Sequence, residues 1–468
     1  MAPPKVGPRK DPPKVVFYWR CRGKKCGFTA DWSSSAVPFI AGRAGVVAVM
    51  GKGAQRSPAH MSEAEEKTTA DVLIGGYLYD VASFKHPGGS IVKFLTNNGD
   101  ATEAFEEFHG RSKKAQAMLR SLPKVAAPRD VLDAREGNGR TDLTRGYARL
   151  REEFAREGRF DPNRSEIVYR VGEVVLMHVV GAYLVLATGY AAAGIILLGL
   201  ASGRCGWLMH EAGHYSLTGE ISVDRALQEL IYGVGCGMSG AWWRNQHNKH
   251  HATPQKLQHD VDLDTLPLVA FHAKIAARAR SPLVKLWLRL QCYLFIPVSC
   301  LLVASGWQLY LHPRHALRTK RKRELACMAL RYVLLFGVVL RGMDHPVWAY
   351  LAYNQVAASY IFTNFSLSHT HLPVTEADEF VHWVEYAAKH TTNISPSPLC
   401  NWWMANLNFQ VEHHLFPAMP QFQHKHISPR VRAFFEAHGL VYDVRPYFSC
   451  LRQTLANLHA VGHSTKDD

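Results

Sequence analysis

Residues 171–209 read VGEVVLMHVVGAYLVLATGYAAAGIILLGLASGRCGWLM, and this stretch decides the fold. Its 39 residues are nearly all apolar, whereas one helix needs about 20 to cross the hydrocarbon core of a bilayer. The stretch is therefore expected to be a helical hairpin that crosses a membrane twice. Whole-chain averages conceal this. Apolar residues make up 47% of the chain and charged residues 20%, as in an ordinary globular protein, but here the apolar residues are gathered into blocks.

Three further apolar blocks follow at 290–310, 325–340 and 347–367. Between the first two, residues 312–324 hold Arg314, Arg318, Lys320, Arg321, Lys322 and Arg323, a basic run that stays on the cytosolic side of a membrane. The expected fold is mostly α: an integral-membrane helical domain with about four spans plus interfacial helices. Two paths fit. Either 290–310, which contains Pro297, enters and leaves without crossing and the last two blocks form a second hairpin, or 290–310 crosses and 325–367 is one bent span. The formal net charge of +15 follows from membrane orientation and anionic head groups. No zinc-finger or RNP-like pattern accompanies it, so no nucleic-acid partner is expected. Cys205, Cys236, Cys292, Cys300 and Cys327 lie in or beside apolar segments, which reads as reduced structural thiols.

Three histidine clusters stand at the polar ends of these blocks. His210-Glu211-Ala212-Gly213-His214 follows the hairpin directly, His247-Asn248-Lys249-His250-His251 comes next, and Gln410-Val411-Glu412-His413-His414 follows the last block. On a helix, positions three and four apart share a face, so each cluster can grip an ion. Two, three and two histidines exceed the six positions of an octahedral ion, which makes two metals the economical reading. All clusters must then lie on one side of the membrane, so an even number of crossings separates 251 from 410. Taken alone, the first cluster is also the HExxH of a zinc protease with Glu211 as general base. His369, at the end of the last block, is the best further ligand, and His371 beside it would point elsewhere. Asp260, Asp262 and Asp264 are placed to hold ring N–H groups of the clusters, and Asn393 is placed either to reach a bound water or to cap a helix.

Ahead of the membrane blocks the chain divides into an arm at 1–65, a small α+β domain at 66–130, and a charged linker helix at 131–170, expected to be solvated. The membrane domain occupies 171–465. The arm is rich in Pro, Gly, Ser and basic residues and reads as disordered or targeting sequence. Met50-Gly51-Lys52-Gly53 within it resembles a natural start. The small domain holds His86-Pro87-Gly88-Gly89 and, 23 residues after His86, His109. The proline fixes the approach of this turn, and the two glycines let the backbone pass close to a flat ligand. Two imidazoles facing each other across a pocket can hold a haem iron with no open position, which suits electron transfer. Asp100, Glu103, Glu106 and Glu107 nearby would suit docking of a basic reductase.

YLYDVASFKHPGG followed by DATEAFEEFH resembles the haem-binding core of the cytochrome b5 family. The resemblance implies haem b with His86 and His109 as axial ligands. The HxxxH, HxxHH and QxxHH clusters are similar to those of the membrane fatty-acyl desaturases, and the opening Gln410 resembles the front-end desaturases that carry a fused b5 domain. GRCGWLMHEAGHYSLTG and NFQVEHHLFP look like microalgal acyl desaturases of the delta-5 and delta-6 type. This implies two non-haem iron ions held by His210, His214, His247, His250, His251, His413 and His414, to which the position of His369 adds a candidate eighth ligand. It further implies O2 as oxidant, an NADH- or NADPH-dependent cytochrome b5 reductase as electron source, and an acyl-CoA or phospholipid-linked polyunsaturated chain as substrate. The endoplasmic reticulum membrane, with metal site and haem domain facing the cytosol, is the expected location, and a plastid membrane the alternative. Delta-5 on C20 chains is favoured over delta-6 on C18 chains, and a sphingolipid desaturase or hydroxylase would use the same boxes. Trp207, Trp242, Trp243, Trp402 and Trp403 are placed to shape the mouth of an acyl tunnel, and Arg244, Lys249 and Lys256 to meet the carrier's phosphates.

Overall fold

The computed structural model describes residues 16–21, 24–29, 71–87, 92, 100–136, 140–377, 379 and 381–464. The proposed start at Met50 and the turn glycines Gly88 and Gly89 lie outside these. The chain divides into two units, 1–66 and 67–468. In the first, β1 (Val16–Cys21) pairs antiparallel with β2 (Lys24–Thr29).

The second unit starts with the small domain. β3 (Asp71–Ile74) and β4 (Tyr77–Asp80) form a hairpin whose two-residue loop is Gly75-Gly76. Both glycines have positive φ, +57° and +81°, which the tight turn between right-twisted strands requires. β5 (Lys124–Ala126) returns to pair with β4. Between β4 and β5 lie α1 (Thr102–His109) and α2 (Lys113–Ser121).

The charged linker is not a solvated helix. α3 (Arg140–Arg156) places Leu143, Tyr147, Leu150 and Phe154 on one face at helical spacing, all buried in a core shared with Phe416, Val431 and Phe435. Its arginines and glutamates occupy the remaining faces, and they hide this apolar stripe in the sequence. The hairpin at 171–209 forms as expected, from α4 (Arg164–Ala187) and α5 (Ala191–Gly213). α4 turns Val175, Leu176, Val179, Tyr183 and Leu186 outward, all more than half exposed, which is the surface a lipid phase would cover.

α6 (Ile221–Cys236) folds back along α5, and α7 (Gly240–Ala252) carries the second histidine cluster. The run Gln291–Arg318, α8, is long and apolar enough to cross a membrane, as are α4 and α5. It contains a π-helical stretch at Phe295–Ser299 around Pro297, where the missing N–H loosens the regular ladder. α9 (Lys322–Leu334) and α10 (Pro346–Ser366) follow. Leu335 and Leu340 pack with Ala349, Tyr350 and Tyr353 against Ile195 and Leu198 near the start of α5. α11 (Trp383–His390), α12 (Gln410–Leu415), α13 (His424–Ala437) and α14 (Tyr447–His463) complete the chain. The described residues are mostly helical, and their strands are few and short.

Candidate metal centre and haem site

α5 presents His210 on its last turn, with His214 as the capping residue. Gly213 makes the approach of α7 possible: a Cβ there would lie 2.2 Å from the Trp243 ring. The Trp243 ring in turn stacks on His247 at 4.2 Å. α12 contributes His413 and His414, both buried. The result is two adjacent groups. His210, His214, His247, His251 and His413 form one, and His250, His369 and His414 the other; within each group the candidate ligand atoms lie within 4.8 Å of one another. His251 joins them, since its Nε2 is 3.0 Å from His247 Nε2 while its ring stacks on His414 at 4.2 Å.

Hydrogen bonds outside the groups orient the rings. His250 Nδ1 lies 2.9 Å from Asp260 Oδ2, and that carboxylate also accepts from the backbone N–H groups of Gln255 and Asp262. His369 Nδ1 donates to the His390 carbonyl at 2.9 Å, which leaves its Nε2 for the cluster. His371 turns instead toward Thr454. Asp264 pairs with Arg278 away from the site. Asn393 donates to Glu412 at 2.8 Å and accepts from the Val411 N–H at 2.9 Å, so it pins the start of α12 in place.

The donor set fits metal ions. His214 Nε2, His251 Nδ1, His414 Nδ1 and both nitrogens of His413 are buried without a hydrogen-bond partner. An unpaired buried polar group costs about 1–3 kcal/mol, so such a cluster is costly unless ions are ligated. Imidazole suits iron, copper or zinc. Gln410 Oε1 is also buried without a partner.

Glu211 cannot serve as a protease base. Arg170 Nη1 donates to Glu211 Oε2 and the Gln421 N–H to Oε1, both at 3.0 Å, and the pair is almost fully buried. Both carboxylate oxygens are thus committed, and the Gln421 side chain in turn lies 2.9 Å from His210 Nδ1. Sequence reasoning missed Arg170 and Gln421, which are distant in the chain. It also missed His424, fully buried with its ring 5.8 Å from that of His413.

An apolar cavity opens beneath the histidines, lined by Trp207, Met209, Trp242, Trp243, Ile361 and Phe365, and reaching Gln308 and Asn354. Trp402 and Trp403 are not on its wall; Trp402 packs over Arg204 and Trp403 against Tyr360. Arg244 and Lys256 are likewise not free to meet phosphates. Arg244 donates to Gln228 and Lys256 to the Glu379 carbonyl; Lys249 is half-buried.

In the small domain the His86 and His109 rings face each other with centroids 5.8 Å apart. With metal–nitrogen bonds of about 2 Å, one iron fits between them. Burial, then the neighbouring His86, pushes His109 down to about 4, so the imidazole is neutral, as a ligand must be. Pro87 is exposed in the turn. Glu103 and Glu107 are buried, each 4% exposed: Glu107 pairs with Arg151 at 2.5 Å and accepts from Tyr147 at 3.1 Å. Glu107 thus fastens the small domain to α3, while Glu103 lies 3.7 Å from His382 Nε2, and both are too buried to meet a reductase.

The profile of the fatty acid desaturase family matches residues 167–446, more than half of the chain. This chain belongs to the fatty acid desaturase family. A second profile, of cytochrome b5-like haem- or steroid-binding domains, matches residues 57–127, so this desaturase is an oxidoreductase with a fused b5-like domain, and haem is its implied prosthetic group. The chain is 55% identical to an acyl-lipid (8-3)-desaturase of Rebecca salina, over 86% of this chain and 93% of that protein. It is 50% identical to an acyl-lipid (8-3)-desaturase of Thraustochytrium sp, over 90% and 99%. An acyl-lipid 8-desaturase of Rebecca salina is 29% identical over 86% and 93%. The front-end character expected from Gln410 and the b5 fusion is thereby established, and the zinc-protease reading falls with it. The apolar helices place the desaturase in a membrane.

The contact between Asp260 and His250 yields a prediction. Asp260→Asn is expected to weaken metal retention at the three-histidine group by about 10–100-fold, read as iron remaining after titration with a chelator. Unchanged retention would show that Asp260 does not orient a ligand.

Proposed function

We propose that this desaturase inserts a cis double bond at the delta-5 position of a C20 polyunsaturated chain carried on a membrane lipid. The observation that carries the reaction is the convergence of eight histidines into two adjacent groups at the head of an apolar cavity. The name acyl-lipid (8-3)-desaturase, borne by two relatives at least 50% identical, supports position 5 over position 6 and a lipid-linked carrier over acyl-CoA.

His210, His214, His247, His251 and His413 would hold one iron, and His250, His369 and His414 the other. Two irons supply the oxygen chemistry that an unactivated C–H bond demands, since no side-chain acid or base removes such a hydrogen. The chain's own part is positional. Asp260 and the His390 carbonyl hold the Nδ1 protons of His250 and His369, which points each Nε2 inward. Gln410 lines the cavity, placed to orient what enters there. Along α5 the wall runs from His210 to Ser202, eight residues or about 12 Å at 1.5 Å per residue, so the acyl chain lies in an apolar slot that excludes water.

His86 and His109 would hold haem b with no open position, which confines it to electron transfer. Electrons are supplied one at a time by an NADH- or NADPH-dependent cytochrome b5 reductase. The proposed setting is the endoplasmic reticulum membrane, with both sites facing the cytosol, in preference to a plastid membrane. For the membrane path we favour α8 entering and leaving on the cytosolic side. In support, its start is tied by Gln291 to the Ala270 and Leu458 carbonyls, and its later part by His312 to the Ser239 N–H that opens α7.

Expression in yeast fed C18 and C20 polyunsaturated acids, with mass spectrometry of derivatised products, tests the proposal. A new delta-5 bond in C20 chains attached to phospholipid is expected. New bonds only in C18 acids, in sphingoid bases, or hydroxylated products would contradict it.

A further inference from the structure

We propose that Phe108 couples the haem domain electronically to the metal centre, as the side chain through which an electron passes from His109 to His251. The proposal rests on the reading above, in which His86 and His109 hold haem and the histidine groups hold iron. α1 ends on Phe108 and His109, so the two side chains leave adjacent Cα atoms. His109 faces His86, while the Phe108 ring stands edge-on to His251, centroids 6.5 Å apart at 87°. Among the described residues, no other ring of the small domain makes a ring contact with a histidine of either metal group.

The entry point is well chosen, because His251 belongs to the five-histidine group and stacks on His414 of the other. Tunnelling falls off exponentially with distance and decays faster through gaps than along bonds. From the His109 ring the path is covalent as far as the Phe108 ring, and one through-space step remains.

The contact is held rigidly. Arg151 and Tyr147 grip Glu107, the residue before Phe108. Arg111 donates to the Phe160 and Ala418 carbonyls at 2.5 and 3.1 Å. Trp383 backs the Phe108 ring at 5.9 Å. The transfer makes and breaks no bond: ferrous haem becomes ferric, and one metal ion gains the electron. Phe108 is a positioning residue for this transfer, since it acts between two ligands and touches neither substrate nor reacting atoms.

The test uses the full-length holoprotein in detergent, reduced anaerobically with dithionite and mixed with oxygenated buffer and acyl lipid, with haem reoxidation followed by absorbance. His414→Ala supplies the background rate that does not pass through the metals. Phe108→Leu is expected to slow the metal-dependent phase by about tenfold or more, because loss of the ring lengthens the through-space step, with the Soret band, haem midpoint potential and iron content unchanged. Phe108→Tyr, which keeps the ring, is expected to restore the rate. A wild-type rate in Phe108→Leu would overturn the proposal, as would equal slowing in both variants. Wild-type protein without a haem spectrum or without non-haem iron would instead refute the functional reading beneath it.

Discussion

His251→Ala is expected to lower product formation by at least about 10³-fold, the scale on which a metal site that carries the chemistry is lost. The same variant should keep its haem spectrum and lose at least one of two non-haem irons. The reason lies in its position. His251 contributes to the five-histidine group and stacks on His414 of the other, so its removal opens one site and unsettles the next. Product analysis in yeast together with elemental analysis of the purified variant checks both parts. Full iron content with wild-type turnover would remove His251 from the ligand set.

His109→Ala is expected to abolish the Soret band and to reduce NADH-driven product formation by about 10³-fold, because the only proposed electron entry is lost with the haem. Non-haem iron should remain at the wild-type level, since His109 lies outside both histidine groups. Absorbance, iron content and product yield separate the outcomes. A variant that lost haem but still turned over with NADH and reductase would show that electrons reach the metals by another route.

Much of this was legible in local sequence. Metal-binding histidines at helical spacing and a His-Pro-Gly-Gly turn are short-range signals, because the chemistry requires ligands on one helix face or at one turn. The hairpin at 171–209 was legible for a similar reason, since a lipid phase demands a continuous apolar run. What escaped was set by long-range packing. Leu143, Tyr147, Leu150 and Phe154 follow a helical period, yet the arginines and glutamates between them suggested a solvated linker. The buried face became visible only once α12 and α13 supplied its partner. Glu103 and Glu107 looked like an exposed acidic patch because nothing local announces His382, or Arg151 and Tyr147.

The same holds for Glu211. HExxH alone cannot say whether its carboxylate faces an ion or an arginine, and Arg170, 41 residues upstream, decides the matter. His369 was the reverse case: the candidate ligand stood out by its place at the end of an apolar block, while the His390 carbonyl that its Nδ1 meets did not.

The two-metal site is the central claim, and iron stoichiometry tests it most directly. Full-length protein purified from iron-replete cells should hold three irons per chain by elemental analysis. One should be haem iron by the pyridine haemochrome assay, leaving two non-haem irons that both decline in His251→Ala. One non-haem metal per chain, or zinc in place of iron with product formation retained, would contradict it.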